Sequence, residues 1–285
     1  MGVQTVIGSA FLACGLAYGA FFAWEMKSHP EKLAASPAKL GTLCAFEFAI
    51  YFLCTLGVSD FLLNTLLIGR LKLAEGKSLP ANILAATIVP GAFIAFSYLK
   101  GGSTVDALTL VLWMLCLTLG GALGGRAVSG MDAKLLKRIM GAAIIASMGA
   151  LIFRMIASSG AVGTLTGLRG GKLIAMCVFC VALGFINVMG VPGKPAATAM
   201  LLVLGLSPVS ALTLTLVLGS IIPISGGVRV AREGLYDRKL VLAAMTAGSA
   251  AAILGVLMAV SLDPLLLNIL LLAVMLTAVI SLLKN

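Results

Sequence analysis

The chain has 285 residues, 61% of them hydrophobic and 11% charged, with a mean hydropathy of +1.15. A soluble domain carries about 25% charged residues, so this composition excludes a water-soluble globule and points to a body sheathed by the lipid bilayer. The formal net charge of +10 is scattered singly through short loops, with no basic stripe and no interleaved aromatics. That excludes a nucleic-acid partner and fits a polytopic inner-membrane protein.

Apolar runs such as 108–124 and 265–283 are continuous rather than alternating. Backbone in hydrocarbon must satisfy its own hydrogen bonds, so the spans are predicted to be helical. In chain order the first is 3–24, which has no preceding Lys or Arg and exceeds the h-region of a signal peptide. It is read as a retained helix. A polar loop, 25–39, holds His29, the sole histidine, so a histidine-based catalytic or metal centre within the membrane is not expected. After a long segment, 41–73, come spans 80–99, 107–128 and 134–153. A second long segment, 172–206, leads to spans 208–228, 239–260 and 264–283. Pro90 and Pro223 fall inside two of these and should kink them.

The two long segments exceed 30 residues each, about 45 Å as one helix at 1.5 Å per residue. Each is interrupted by residues hostile to a helix: Gly57-Val58-Ser59-Asp60 in the first, Gly190-Val191-Pro192-Gly193-Lys194-Pro195 in the second. Both are predicted to be hairpins that enter the membrane, break and return. With both hairpins re-entrant, fifteen of the twenty Lys and Arg fall on one side. Only Lys100, Arg154, Arg169 and Lys172 fall on the other, and Lys194 lies within the membrane. The positive side is cytoplasmic, so the N-terminus is expected outside and the C-terminus inside.

The sequence also repeats itself. Asp106 and Asp237 each precede a helix and are each followed 26 residues later by Asp132 and Asp263. Leu123-Gly124 matches Leu254-Gly255, and Pro80 and Pro208 open helices that carry Gly91 and Gly219 eleven residues on. The expected fold is therefore an all-α polytopic membrane protein of two repeats, each a broken re-entrant hairpin plus three transmembrane helices. An odd number of crossings per repeat makes them inverted. Residues 1–40 form an extra N-terminal helix and cytoplasmic loop, 41–156 the first repeat and 157–285 the second. Inverted repeats with broken helices are a recurrent transporter plan, with the site near mid-membrane where the halves meet.

Gly190-Val191-Pro192-Gly193, Leu204-Gly205-Leu206-Ser207-Pro208, Gly234-Leu235-Tyr236-Asp237 and the Gly248/Gly255 helix stand in an order that resembles the TauE/SafE family of sulfite exporters and sulfonate permeases. The first half resembles it more weakly, with Gly57-Val58-Ser59-Asp60-Phe61 where members carry a glycine cluster. The likeness covers nearly the whole chain after residue 40. It implies transport of sulfite, a sulfonate or a related small organic anion; no cofactor and no enzymatic activity are expected from the residues, and the coupling ion, a proton or sodium, stays open.

Among site residues Lys194 stands first. A charge in a membrane break is costly and tends to be functional or paired, and the helix beginning near Ala196 adds a positive N-terminus that favours an anion. The other reading is an ion-pair partner or a snorkelling lysine. Asp60, at the equivalent break, pairs with Lys194, carries a coupling proton, or caps the helix Phe61–Leu71. Gly190, Gly193, Ser59, Asn64, Asn187 and Thr198 flank the breaks, and the polar ones among them either donate to substrate oxygens or glue helices together. Glu47 is a second carboxyl for proton coupling, unless it sits at the cytoplasmic interface. The six cysteines lie in apolar segments and read as filler, Cys177-x-x-Cys180 having no second pair to complete a metal site. The rival readings are a drug/metabolite carrier of two five-helix halves, which would use full crossings, and an intramembrane enzyme, for which the catalytic residues are missing.

Overall fold

The computed structural model describes residues 2–34, 36–55, 58–73, 78–100, 105–128, 163–188, 193–234 and 236–258, with scattered positions between 135 and 156. In chain order the helices are α1 (Val3–Ser28), α2 (Pro30–Ala34), α3 (Leu40–Thr55), α4 (Asp60–Leu71), α5 (Ser78–Lys100) and α6 (Ala107–Val128). They continue with α7 (Gly170–Val188), α8 (Gly193–Val203), α9 (Pro208–Glu233) and α10 (Arg238–Met258), the last carrying one π-turn at Ala244–Gly248. The only β pairing among the described residues is an isolated bridge between Leu165 and Leu206. Five helices, α1, α5, α6, α7 and α10, are long and apolar enough to cross a membrane. The chain is an all-α protein of the membrane type. The expected spans 134–153 and 264–283 lie outside the continuously described residues.

Several boundaries differ from expectation. α1 runs on to Ser28 with Lys27 in its last turn, where a cation complements the helix dipole, and α9 runs on to Glu233. α8 begins at Gly193 rather than near Ala196. Pro195 is accommodated in the first turn, where its missing N–H has no intrahelical acceptor to lose. The cap of α4 is Ser59, with no side-chain cap bond, and Asp60 is the first helical residue.

α5 sits at the centre of the bundle, 83% of its apolar window being buried, whereas the figure for α1 is 28%. α5 packs against α1, α9, α10 and α4; α6 packs against α7 and α9; α3 packs against α10. Small residues allow the close crossings. A Cβ on Gly15 of α1 would lie 2.3 Å from Ala92 Cβ of α5, and one on Gly184 of α7 would lie 2.5 Å from the Leu117 carbonyl of α6. Such stripes bring helices together where lipid leaves no hydrophobic drive between them. On the outside, α7 exposes Ile174 and Val178, and α6 exposes Leu115 and Leu119. These are i, i+4 pairs facing outward, as a lipid-facing surface requires.

The two ends of the bundle are tied by different polar contacts. At one end Asp106 caps α6, its Oδ2 accepting from the Thr109 N–H at 3.0 Å, and it pairs with Arg169 at 2.8 Å. The Arg169 guanidinium, and after it the Thr109 N–H, hold the Asp106 carboxyl well below the usual carboxylate range. Gln4 of α1 donates to the Val105 carbonyl at this end. At the other end Asp237 caps α10, accepting from the Leu240 N–H at 2.9 Å, and Arg238 pairs with Glu25 at 2.8 Å. Lys239 donates to the Ser36 and Ala38 carbonyls, which brings the start of α3 to this end. The Asp237 N–H donates to Asn82, near the start of α5.

α3 and α4 therefore both have their outer ends at the Asp237 end. α7 and α8 have theirs at the Asp106 end, where the Leu165 N–H donates to the Gly205 carbonyl. The short arms stop in the same way. Lys72 (φ 52°) ends α4 with Leu73 N–H to Ile68 carbonyl at 3.1 Å, and Gly205 (φ 95°) ends α8 with Leu206 N–H to Leu201 carbonyl at 3.1 Å. Both are left-handed turns that satisfy the last helical carbonyls.

Candidate functional site

The inner ends of α3, α4, α7 and α8 meet near the middle of α5 and α9. Lys194, in the first turn of α8, donates from Nζ to Asp60 Oδ1 at 2.7 Å and to Cys54 Sγ at 2.9 Å. The side chains of Lys194 and Asp60 are 5% and 7% exposed. Asp60 Oδ2 lies 3.0 Å from Thr87 Oγ1 of α5, which in turn accepts from the Tyr51 hydroxyl at 3.0 Å. The single Thr87 hydroxyl proton serves either Asp60 or the Ile83 carbonyl, 2.8 Å away. Gly219 of α9 leaves room for the lysine stem, since a Cβ there would lie 3.0 Å from Lys194 Cε.

Two charges taken from water cost several kcal/mol each, and their attraction offsets this only with good geometry and further hydrogen bonds. The pair has both: a direct contact, and second partners for each member in Cys54 and Thr87. The space left beside it is a narrow crevice of about 20 Å³, enough to admit water. Ser59, Asp60, Asn187, Gly193 and Lys194 line it, with apolar walls from Phe61, Leu84, Leu218 and Pro223.

Compared with known proteins, the chain matches no family model, no curated protein and no solved structure. The site is therefore read from its own chemistry.

Of the residues singled out in the sequence, Lys194, Asp60, Ser59, Asn187 and Gly193 come together, and Gly190 lies outside the described residues. Thr198 is buried but turned towards α9, its hydroxyl donating to the Lys194 carbonyl at 2.9 Å and meeting Thr215 Oγ1 at 3.0 Å. Asn64 is fully buried one turn beyond Asp60, away from the crevice and beside Glu47. Glu47 is 0% exposed, about two turns in from the start of α3. Of the three roles open to Asp60, the ion pair is formed and the helix cap is not. Cys54 departs from the filler reading, because its sulfur accepts from Lys194. Thr87 and Tyr51 were not among the sequence candidates. They lie in helical apolar runs with no local mark, and only packing joins them to Asp60.

Proposed function

We propose that this chain is a secondary transporter of a small anion, of the sulfite, sulfonate or related organic class, and that the anion binds Lys194 between the two hairpin tips. The observation that carries the reading is the buried Lys194–Asp60 pair between two helix breaks. A buried lysine whose counter-charge among the described residues is a carboxylate can exchange that carboxylate for a substrate oxyanion. The exchange gives two states, closed with the pair formed and loaded with the anion in Asp60's place. The N-terminal turn of α8 adds its backbone N–H groups on the same side of the anion.

An inverted-repeat organisation supports carrier function, and several features support the repeat. α3 packs on α10 as α7 packs on α6, and α5 packs on α9. Gly91 and Gly219, matched by sequence, touch each other, and Ser220 Oγ donates to the Gly91 carbonyl. Asp106 and Asp237 cap equivalent helices at opposite ends, and the two short arms share one terminating turn. The resemblance to the TauE/SafE family belongs to the same reading, as does a cytoplasmic assignment for the Asp237 end, which gathers Lys32, Arg238 and Lys239.

The test is uptake of labelled sulfite, a small sulfonate and a dicarboxylate into proteoliposomes, with wild type beside Lys194→Ala. Saturable uptake lost in the variant supports the reading and names the substrate class. Equal uptake by both removes Lys194 from the site.

A further inference from the structure

Glu47 and Asn64 form a second buried polar cluster, Asn64 one helical turn beyond Asp60 on α4 and Glu47 two turns before Cys54 on α3. Both residues are 0% exposed. Neither carboxyl oxygen of Glu47 and neither Oδ1 nor Nδ2 of Asn64 makes a hydrogen bond of good geometry, although the two side chains lie close enough across α3 and α4 to interact. Four polar atoms without a well-formed bond at one place run against the rule that buried polar groups are bonded, and each such site asks for a missing ligand.

The donor and acceptor inventory identifies that ligand. An ionised Glu47 can only accept, so Asn64 Oδ1 would stay without a donor and the negative charge without a cation. One proton satisfies both groups. The proton removes the buried charge and supplies the donor that Asn64 Oδ1 lacks, letting the two side chains close on each other as a carboxylic acid closes on a primary amide, O–H to Oδ1 and an Asn64 N–H to the remaining Glu47 oxygen. A bound metal cation would need several further oxygens, which the facing pair does not supply.

The surroundings agree. The charged group acting on Glu47 is Asp60 of α4, itself engaged by Lys194. Tyr51, one turn along α3, donates to Thr87 of α5. α10 contributes Ser249, whose Oγ is likewise buried without a partner.

We propose that Glu47, held against Asn64, is the proton-binding group that couples anion movement to a proton gradient; this rests on the anion-carrier reading above. When an anion takes Lys194, Asp60 is left as a carboxylate with no cation in a buried site. Transfer of the Glu47 proton to Asp60 neutralises that carboxylate, and Asp60 gives the proton up on the far side when Lys194 takes it back. Glu47 then regains its proton from solution. One proton moves with each monovalent anion, in the same direction.

The experiment uses the full chain in proteoliposomes and a short alkyl sulfonate, whose charge does not vary with pH. Exchange of labelled for unlabelled sulfonate is measured at equal pH, and accumulation is measured with the outside acidic. Glu47→Gln keeps the fold because an amide makes the same two bonds to Asn64. Its exchange persists, while accumulation driven by the gradient falls at least tenfold. Infrared spectra in lipid give a second reading that needs no transport. Wild type has a protonated-carboxyl band that Glu47→Gln lacks, and Asn64→Leu moves the band to higher frequency by removing the bond to the carbonyl. Wild-type accumulation in Glu47→Gln overturns the proposal, and so does a wild-type spectrum with no band that the variant lacks. Failure of wild type to exchange any anion overturns the carrier reading instead, and the infrared band then decides alone whether Glu47 holds a proton.

Discussion

The closeness of Lys194 and Asp60 can be measured as a coupling energy. Asp60→Asn removes the charge opposite an ammonium that is 5% exposed. Removing one partner of a buried pair costs about 3–5 kcal/mol, and an asparagine oxygen that still accepts one bond returns about 1 kcal/mol. The expected loss is about 2–4 kcal/mol for Asp60→Asn and about 3–5 kcal/mol for Lys194→Met. The double variant buries neither charge, and replacing a whole buried pair is often nearly neutral, so its loss should be about 0–2 kcal/mol. The coupling is then about 3 kcal/mol or more, well above the few tenths expected of independent sites. The assay is SDS-induced unfolding of purified protein followed by tryptophan fluorescence, for which Trp113, fully buried and donating to the Leu214 carbonyl at 2.9 Å, is the reporter. Losses in the double variant equal to the sum of the singles would refute the argument.

Gly184→Val should lower stability by about 3 kcal/mol in the same assay, since its Cβ would meet the Leu117 backbone and neither helix can give way. Lys72→Gly should raise it by about 1 kcal/mol, because the residue adopts a left-handed conformation that glycine takes without penalty. Asp106 sets a pH response: its folded value is depressed, so its contribution is complete above the unfolded value of about 3.9 and fades as pH falls below that. Asp106→Asn should therefore trail wild type in thermal midpoint at pH 6 and meet it in strong acid. Arg169 is 62% exposed, so added salt should narrow the gap. In a cysteine-free background, Lys32→Cys and Lys172→Cys should react with an impermeant maleimide from opposite faces, and Ser59→Cys from neither in the closed state; labelling of Ser59→Cys as fast as the others would remove the hairpin tip from the membrane interior.

The breaks were legible because Pro192, Pro195 and their neighbouring glycines interrupt apolar segments too long for one crossing. Lys194 and Asp60 could be named because charge is so rare in such segments that each instance stands out. Their other partners were not legible. Cys54 lies 140 residues from Lys194 and Thr87 lies 27 from Asp60, and a thiol or hydroxyl in an apolar run carries no local sign of what it will touch. The cap of α4 misled for a related reason: serine and aspartate both suit that position, and the carboxylate of Asp60 was drawn instead to a lysine on another hairpin. The π-turn at Ala244–Gly248 has no compositional signature. It is set by packing, where Gly248 lies flush against the Tyr51 ring.

The closed pair has an electrical consequence. A lone charge moved across a membrane potential of 100 mV gains or loses about 2.3 kcal/mol. Lys194 and Asp60 cancel, so the empty protein presents no net charge from this pair to the field as its halves rock. With one proton carried beside each monovalent anion, neither the loaded step nor the return step of a transport cycle built on the pair would move net charge, and neither would respond to the potential.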